Sequence, residues 1–273
     1  MADTEHISIV ELDIGDAQAG LALSTEAHWN QNEADWRFFL SKGNVFGVRD
    51  RDQLVAAAAL LPYSAGNAWI SMVLVTENWR RRGIATRLVD ACLNAATRRG
   101  LSTWLDATPA GASVYGPLGF TPVLQLRRLR LKTFAKSNAA RPPPACDLDE
   151  FIARDQRAMG FDRSILLKEF AGRSASRILS IGNAMAVVRD GRAARHIGPL
   201  FADKPASALT LVDSIVQSET GPLLIDAISS QHDFLKGLTG SGWNVERPFQ
   251  RMRFGPATQA QELPFAVAGP EFG

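Results

Sequence analysis

The chain has 273 residues, about twice the commonest domain length, so two domains are the natural expectation. Hydrophobic residues make up 46% of it, enough for packed cores, which excludes a disordered or fibrous protein. A net charge of only +2, with basic clusters confined to Arg80–Arg82 and Arg127–Arg130, argues against a nucleic-acid partner.

Two cysteines, Cys92 and Cys146, give neither a disulfide framework nor metal-ligand spacing, and no metal site is expected. The N-terminus is acidic and polar, with no basic region ahead of an apolar stretch, and no apolar segment approaches membrane-spanning length. The expectation is a cytoplasmic protein without a membrane partner.

In chain order, Ile7 to Leu12 reads as a short strand and Asp16 to Glu26 as a helix. His28-Trp29-Asn30-Gln31-Asn32 then mixes an aromatic, an imidazole and amides ahead of a second helix from Glu33 to Leu40. Such a loop suits a binding surface, although Trp29 as a staple and Asn30 or Asn32 as a cap account for it equally well. Val45 to Val48 and Leu54 to Leu61 form a hairpin about Arg49-Asp50-Arg51-Asp52, and Trp69 to Val75 is a buried strand. The turn Arg80-Arg81-Arg82-Gly83 enters a helix whose apolar face carries Ile84, Leu88, Ala91, Cys92 and Ala95, ending at Arg99 and Gly100. A helix start offers unpartnered backbone N–H groups and a positive dipole end. Gly83 lets the backbone approach an anion, Ala85 keeps bulk away and Thr86 adds a hydroxyl, so phosphate is the ligand this turn fits. Leu101 to Ala107 is a further strand, a short helix carries Tyr115, and Leu124 to Leu131 is expected to close the first sheet. The alternation Arg128-Leu129-Arg130-Leu131 reads as a strand with one solvated face.

Arg80-x-x-Gly83-x-Ala85 resembles the pyrophosphate signature of the GNAT superfamily of acetyl-coenzyme A-dependent N-acyltransferases. A second block, Val114-Tyr115-Gly116-Pro117-Leu118-Gly119-Phe120, resembles the same family's tyrosine-bearing element and follows in the expected order. The resemblance implies acetyl-CoA as co-substrate, held by Met72, Val73, Leu74 and Val75 on the strand, by Arg80, Arg81, Arg82, Gly83, Ile84, Ala85 and Thr86 in the turn, and by Tyr115. It also implies Tyr115 as the acid that protonates the departing thiolate, and Trp29, Asn30, His28 and Glu26 as the acceptor wall. Glu77 and Asp106 are candidate bases, each with a plainer reading as a turn or cap residue. Thr108 and Pro109 stand where many such proteins have an asparagine, so that role is not carried over.

Lys132 to Ala145, with Pro142-Pro143-Pro144, breaks all periodicity and reads as a stiff connector. The second half repeats the later element order of the first: helices over 147–159 and 164–170, strands over 177–180, 184–189 and 192–201, a helix over 206–216, a strand over 222–228, a helix over 234–238 and a strand over 243–254. Its counterpart of the basic turn, Ala202-Asp203-Lys204-Pro205-Ala206-Ser207, has no glycine; Asp203 is expected to cap the helix and Pro205 to open it, so no anion site should form there. This layout resembles bacterial tandem GNAT proteins in which a shorter C-terminal GNAT-like domain follows the active one, and the resemblance implies an α/β (α+β) fold class with two GNAT-like domains, each a mixed, mostly antiparallel sheet flanked by helices. The expected boundaries are 1–131 for the catalytic domain, 132–145 for the linker, 146–256 for a degenerate second domain and 257–273 for a tail of loose surface structure.

The function this implies is acetyl transfer from acetyl-CoA to an amine of a small molecule held between the two domains, with Phe161, Asp162 and Arg163 facing it from the second. For Asp162 a cap on the Ser164 helix is the plainer reading. A sensor or scaffold that binds acyl-CoA without turnover, and a protein or peptide acetyltransferase, are the alternatives, and homodimer formation is left open.

Overall fold

The computed structural model describes residues 8–132, 142–256 and 259–273. Ile7 and residues 133–141 of the expected connector lie outside them. The chain divides into two compact units, Met1–Leu105 and Asp106–Gly273, so the division falls inside a strand and upstream of the expected boundary at 131.

The first unit begins with β1 (Ile9–Leu12), α1 (Ala17–Glu26) and α2 (Glu33–Lys42). Asn32 caps α2 through a capping box: its side chain accepts from Asp35 N at 3.0 Å, and Asp35 accepts from Asn32 N at 3.1 Å. Of the two candidate caps, Asn32 is the one used. The two helices lie close because Gly20 carries no side chain; a Cβ there would stand 2.3 Å from the Trp36 ring. Trp36 is fully buried and donates its indole N–H to Ser24 Oγ at 2.9 Å. The hairpin β2 (Asn44–Asp50) and β3 (Gln53–Pro62) continues to β4 (Asn67–Val75), giving the sheet order β1-β2-β3-β4-β5 with β5 at Ser102–Ala107. The helix α3 (Ile84–Arg98) buries Ile84, Leu88, Val89, Cys92, Ala95 and Ala96, as its periodicity requires. Burial also pushes the Cys92 thiol far above its ordinary range, which makes it an inert core group.

The second unit holds α4 (Pro109–Tyr115), β6 (Thr121–Leu131), α5 (Leu148–Met159), α6 (Ser164–Gly172), β7 (Arg177–Ile181), β8 (Ala184–Arg189), β9 (Arg195–Phe201), α7 (Pro205–Ser218), β10 (Leu223–Ile228), α8 (His232–Gly240) and β11 (Asn244–Phe254). Its strands run in the order β11-β6-β10-β9-β8-β7. β6, expected to close the first sheet, instead pairs antiparallel with both β10 and β11. Its expected solvated face is corrected with it: Arg128 is buried and grips Asp226 with two bonds of 2.8 Å. Both edges of β6 find partners only in the second sheet, so an inward arginine met a carboxylate there rather than water.

Three further expectations change. The chain at Pro144–Cys146, where the expected connector meets the second domain, adds itself to β7, Ser180 N donating to Pro144 O and Cys146 N to Ile178 O, each at 2.9 Å. Asp203 does not cap α7; it accepts from Arg154 Nη2 at 2.9 Å and from Asn183, although Pro205 does open the helix as expected. The tail is not loose: Phe265, Ala266, Val267, Ala268 and Phe272 are all buried.

At the centre of the second unit, His196 Nε2 lies 2.9 Å from Asp226, which is already held by Arg128. Burial alone would raise the Asp226 carboxyl, but Arg128 and His196 outweigh it and hold it well below the usual carboxylate range. Burial pushes His196 below its ordinary value against the opposing pull of Asp226. The imidazole is therefore neutral, with its proton on Nε2 facing the carboxylate. Unfolded His196 gains a proton as pH falls below about 6.5, and the folded state resists that gain, so stability declines from there. Asp226 adds a second loss as pH falls below about 4, where the unfolded carboxyl takes up a proton first. Melting temperature should thus fall in two stages on acidification. His196→Gln should flatten the first stage only; an unchanged slope between pH 7 and 5 would refute the assignment.

Candidate active site

The site in the first unit starts from how β4 and β5 part. Their parallel ladder covers Asn67–Trp69 against Ser102–Trp104 and, among the described residues, goes no further. The last pair is Trp69 and Trp104, stacked with centroids 6.4 Å apart, and Trp104 donates to Asn67 Oδ1 at 2.9 Å. Past this lock, β4 stays bound to β3 through Val75 but bulges: Met72 and Val73 together oppose Ala58. Met72 takes φ 53°, in the left-handed region that methionine pays to enter. The strand from Met72 to Val75 thereby carries a re-aimed backbone along its open edge. The sequence names these residues, yet a left-handed methionine leaves no mark in the sequence.

β4 leads through a short 3-10 turn, Glu77–Trp79, to the arginines. Arg80 Nε donates to Val75 O at 3.1 Å and Arg82 Nη2 to Asn78 O at 2.9 Å, while Arg82 lies 4.6 Å over the Trp79 ring. These two arginines therefore build the turn as well as its field. Arg81 is exposed at φ 61°, and Gly83 follows at φ 74° as the N-cap of α3 with no side-chain cap bond. The N-cap supplies no side-chain acceptor for the first N–H groups of α3, and a Cβ built on Gly83 would meet nothing within 4 Å. An exposed helix start with open space at its N-cap has the backbone chemistry that suits an anion.

Glu26, expected on the acceptor wall, is drawn into this corner. Its Oε1 accepts from Glu77 N at 2.9 Å, tying the end of α1 to the turn after β4. Glu26 lines one crevice with Leu23, Ala27, Leu74, Val75, Thr76 and Arg80, so an acceptor candidate and three cofactor candidates meet in the same place. The Glu77 side chain is exposed beside it. In the loop beyond, His28 is exposed at φ 55°, Trp29 is half-buried with its backbone N–H on Ser24 O, and Asn30 is buried.

The second unit carries the remaining candidates. Thr108 caps α4 through Gly111 N at 3.2 Å, and Pro109 opens the helix. Tyr115 ends that helix half-buried, its ring 6.0 Å from Phe120, which in turn lies 5.7 Å from Phe254. The Asp106 side chain is shielded from solvent, and both its oxygens accept from Arg251 at 2.8 Å. Burial pushes its carboxyl up against the pull of Arg251. With both oxygens engaged, its evident task is to anchor β11. Arg163, expected to face a ligand, turns inward to a two-pronged bond with Asp155, and Phe161 is buried; Asp162 accepts from Ser164 N at 2.6 Å, as a helix-entry residue does.

Residues 12–120 match the family described as Acetyltransferase (GNAT) family, and residues 151–263 match the Acetyltransferase (GNAT) domain. The chain is 25% identical over 232 residues to the N-acetyltransferase YitH of Bacillus subtilis, covering 79% of each, and 26% identical over 233 residues to holothin acyltransferase of a Pseudoalteromonas species, covering 81% of this chain and 79% of that one. A solved structure from Pyrococcus horikoshii superposes with a TM-score of 0.80 at 19% identity, over 98% of this chain and 96% of that one, a likeness of fold. Among the described residues no helix is long and apolar enough to cross a membrane. Both halves of the sequence carry the same family's stamp, and the chain belongs to the GNAT family as a tandem-domain N-acetyltransferase.

Proposed function

We propose that the protein moves an acetyl group from acetyl-CoA to the amine of a small molecule, and that the first unit holds the acetyl-CoA. The observation that carries this reading is the open edge of β4 from Met72 to Val75 leading directly to an uncapped helix start at Gly83. An amide-bearing arm suits the first as an added strand, and a diphosphate suits the second. Acceptance of an acyl group by one named compound, as the name holothin acyltransferase states for that relative, supports a small acceptor.

In the reaction, the neutral amine attacks the thioester carbon, the C–S bond breaks, and the amine's surplus proton leaves to a base. A backbone N–H on the bulged stretch of β4 would stabilise the negative charge that develops on the carbonyl oxygen. Tyr115 would supply the proton that the departing thiolate takes up. Glu77, exposed at the β4 corner, is the carboxylate available to receive the amine's proton, directly or through water. Asp106 is set aside from that role by its engagement with Arg251.

Two substitutions test this. Gly83→Glu places volume and a like charge in the phosphate seat, and calorimetry should show acetyl-CoA affinity reduced by ~10-fold or more in a protein that still melts cooperatively. Undiminished affinity would remove the turn from the site. Tyr115→Phe keeps the ring and loses the donor, so thiol release in the presence of an amine panel should slow by ~10²-fold or more with cofactor affinity near wild type. Equal losses of turnover and affinity would assign the residue to packing, and binding with no turnover by the unmodified protein would favour a sensor.

A further inference from the structure

The second unit repeats the parting of parallel strands and treats it differently. β9 and β10 form a parallel ladder over Arg195–Ile197 against Leu223–Ile225, where it stops. Beyond that point the end of the chain enters between them, antiparallel to both, with Ala266 bridging Leu200 on one side and Ala227 on the other. Phe265 N donates to Leu200 O at 2.8 Å and Leu200 N to Ala266 O at 3.0 Å; across the gap, Ile228 N donates to Phe265 O at 3.1 Å and Val267 N to Asp226 O at 3.0 Å. Each diverging edge thus finds acceptors and donors on the inserted backbone.

We propose that this opening is a binding site for an extended peptide, and that its resident ligand is the chain's own segment Pro264–Ala268. Three features distinguish a seated ligand from ordinary packing. The stretch just before it, from Gly255 to Leu263, is largely exposed wherever it is described and is held to α5 by Gln261 N on Arg157 O at 2.9 Å and by Glu262 on Arg154 at 2.8 Å; burial begins abruptly at Pro264. Gly198 on β9 is shaped for an approaching backbone: it sits at φ 150°, and a Cβ there would stand 2.1 Å from Val267 O. The seat also selects residue type. Phe265 enters the core with its ring 5.2 Å from Phe234, and Ala266, flanked by two strands, is fully buried.

Beyond the opening the segment is latched. Arg189 donates to Ala268 O at 3.2 Å and pairs with Glu271 at 2.7 Å; Arg163 donates to Phe272 O at 3.1 Å and to Gly273 O; and Phe272 packs edge-on against Phe170 at 5.2 Å. Occupation by the tethered segment is favoured by its high effective concentration and closes the opening to other extended ligands. The inference stands on the geometry of the second unit alone and is independent of the acetyl-CoA reading.

The test uses the full chain with a specific protease site inserted after Gln259, cut only after folding. The severed segment should stay bound through gel filtration and exchange with an excess of labelled synthetic peptide spanning residues 262–273. Amide exchange at Leu200 and Ile228 should rise when the segment is removed and fall again when peptide is added. Gly198→Ala should weaken peptide binding by ~10-fold or more. A V267P peptide, which lacks the N–H given to Asp226 and leaves the protein unchanged, should fail to compete even if the glycine variant does not fold. The proposal is overturned if cutting unfolds the unit with no peptide exchange, since the segment is then integral core. It is equally overturned if Leu200 and Ile228 stay protected without the segment, or if V267P binds as well as the unmodified peptide.

Discussion

Parallel strands that separate part-way along their length leave two rows of backbone donors and acceptors, and low-dielectric surroundings do not tolerate such groups unpaired. That constraint shapes each unit of this protein. In the first, Trp69 and Trp104 clamp the point of divergence, and the bulge at Met72 re-aims the edge that continues beyond it. In the second, the chain supplies its own strand, and Gly198 and the small residue Ala266 are what that solution requires. One topology is thus compatible with an edge left open in the first unit and an edge satisfied from within in the second.

The second unit is also organised by arginines drawn inward. Arg128 meets Asp226, Arg163 meets Asp155, Arg189 meets Glu271 and Arg251 meets Asp106, each at hydrogen-bonding distance and shielded from water. Pairs of this kind add little net stability over apolar packing, but stranding one partner costs about 3–5 kcal/mol. They therefore penalise wrong registers more than they reward the right one. Asp226 sits between Arg128 and His196 on facing strands and so fixes β6, β10 and β9 against one another.

Much of this was legible in the residues. The two short blocks around Gly83 and Tyr115, the amphipathic α3 and the order of elements in the second half follow from spacing and turn chemistry. What escaped the sequence has a common physical origin: local pattern does not report the partner. Arg128-Leu129-Arg130-Leu131 alternates as a solvated strand would, and only the pairing of β6 with β10 supplies the carboxylate that lets Arg128 go inside. The tail is rich in Ala, Gly and Pro, a composition of loose segments, and only the opening between β9 and β10 gives its backbone a place to bond. Asp203 has the right residue type and position for a cap, yet Arg154 and Asn183, distant in sequence, compete successfully for it. At the candidate site, the turn was visible because glycine and arginine are informative there, whereas the left-handed Met72 and the bond from Glu77 N to Glu26 depend on tertiary geometry.

The placement of β6 between β10 and β11 has a bearing on how the protein is made. Arg128 and Asp226, the pair at the heart of that strand's docking, are 98 positions apart in the chain. When the ribosome has released β6, neither of its neighbours yet exists, so a strand with two unsatisfied edges must wait until β10 and β11 have been synthesised. High sequence separation of this kind slows folding and prolongs exposure of adhesive edges. The first unit can collapse early around its local hairpin, while the second sheet can close only after β11 has emerged, which makes β6 the segment where chaperone protection during synthesis would matter most.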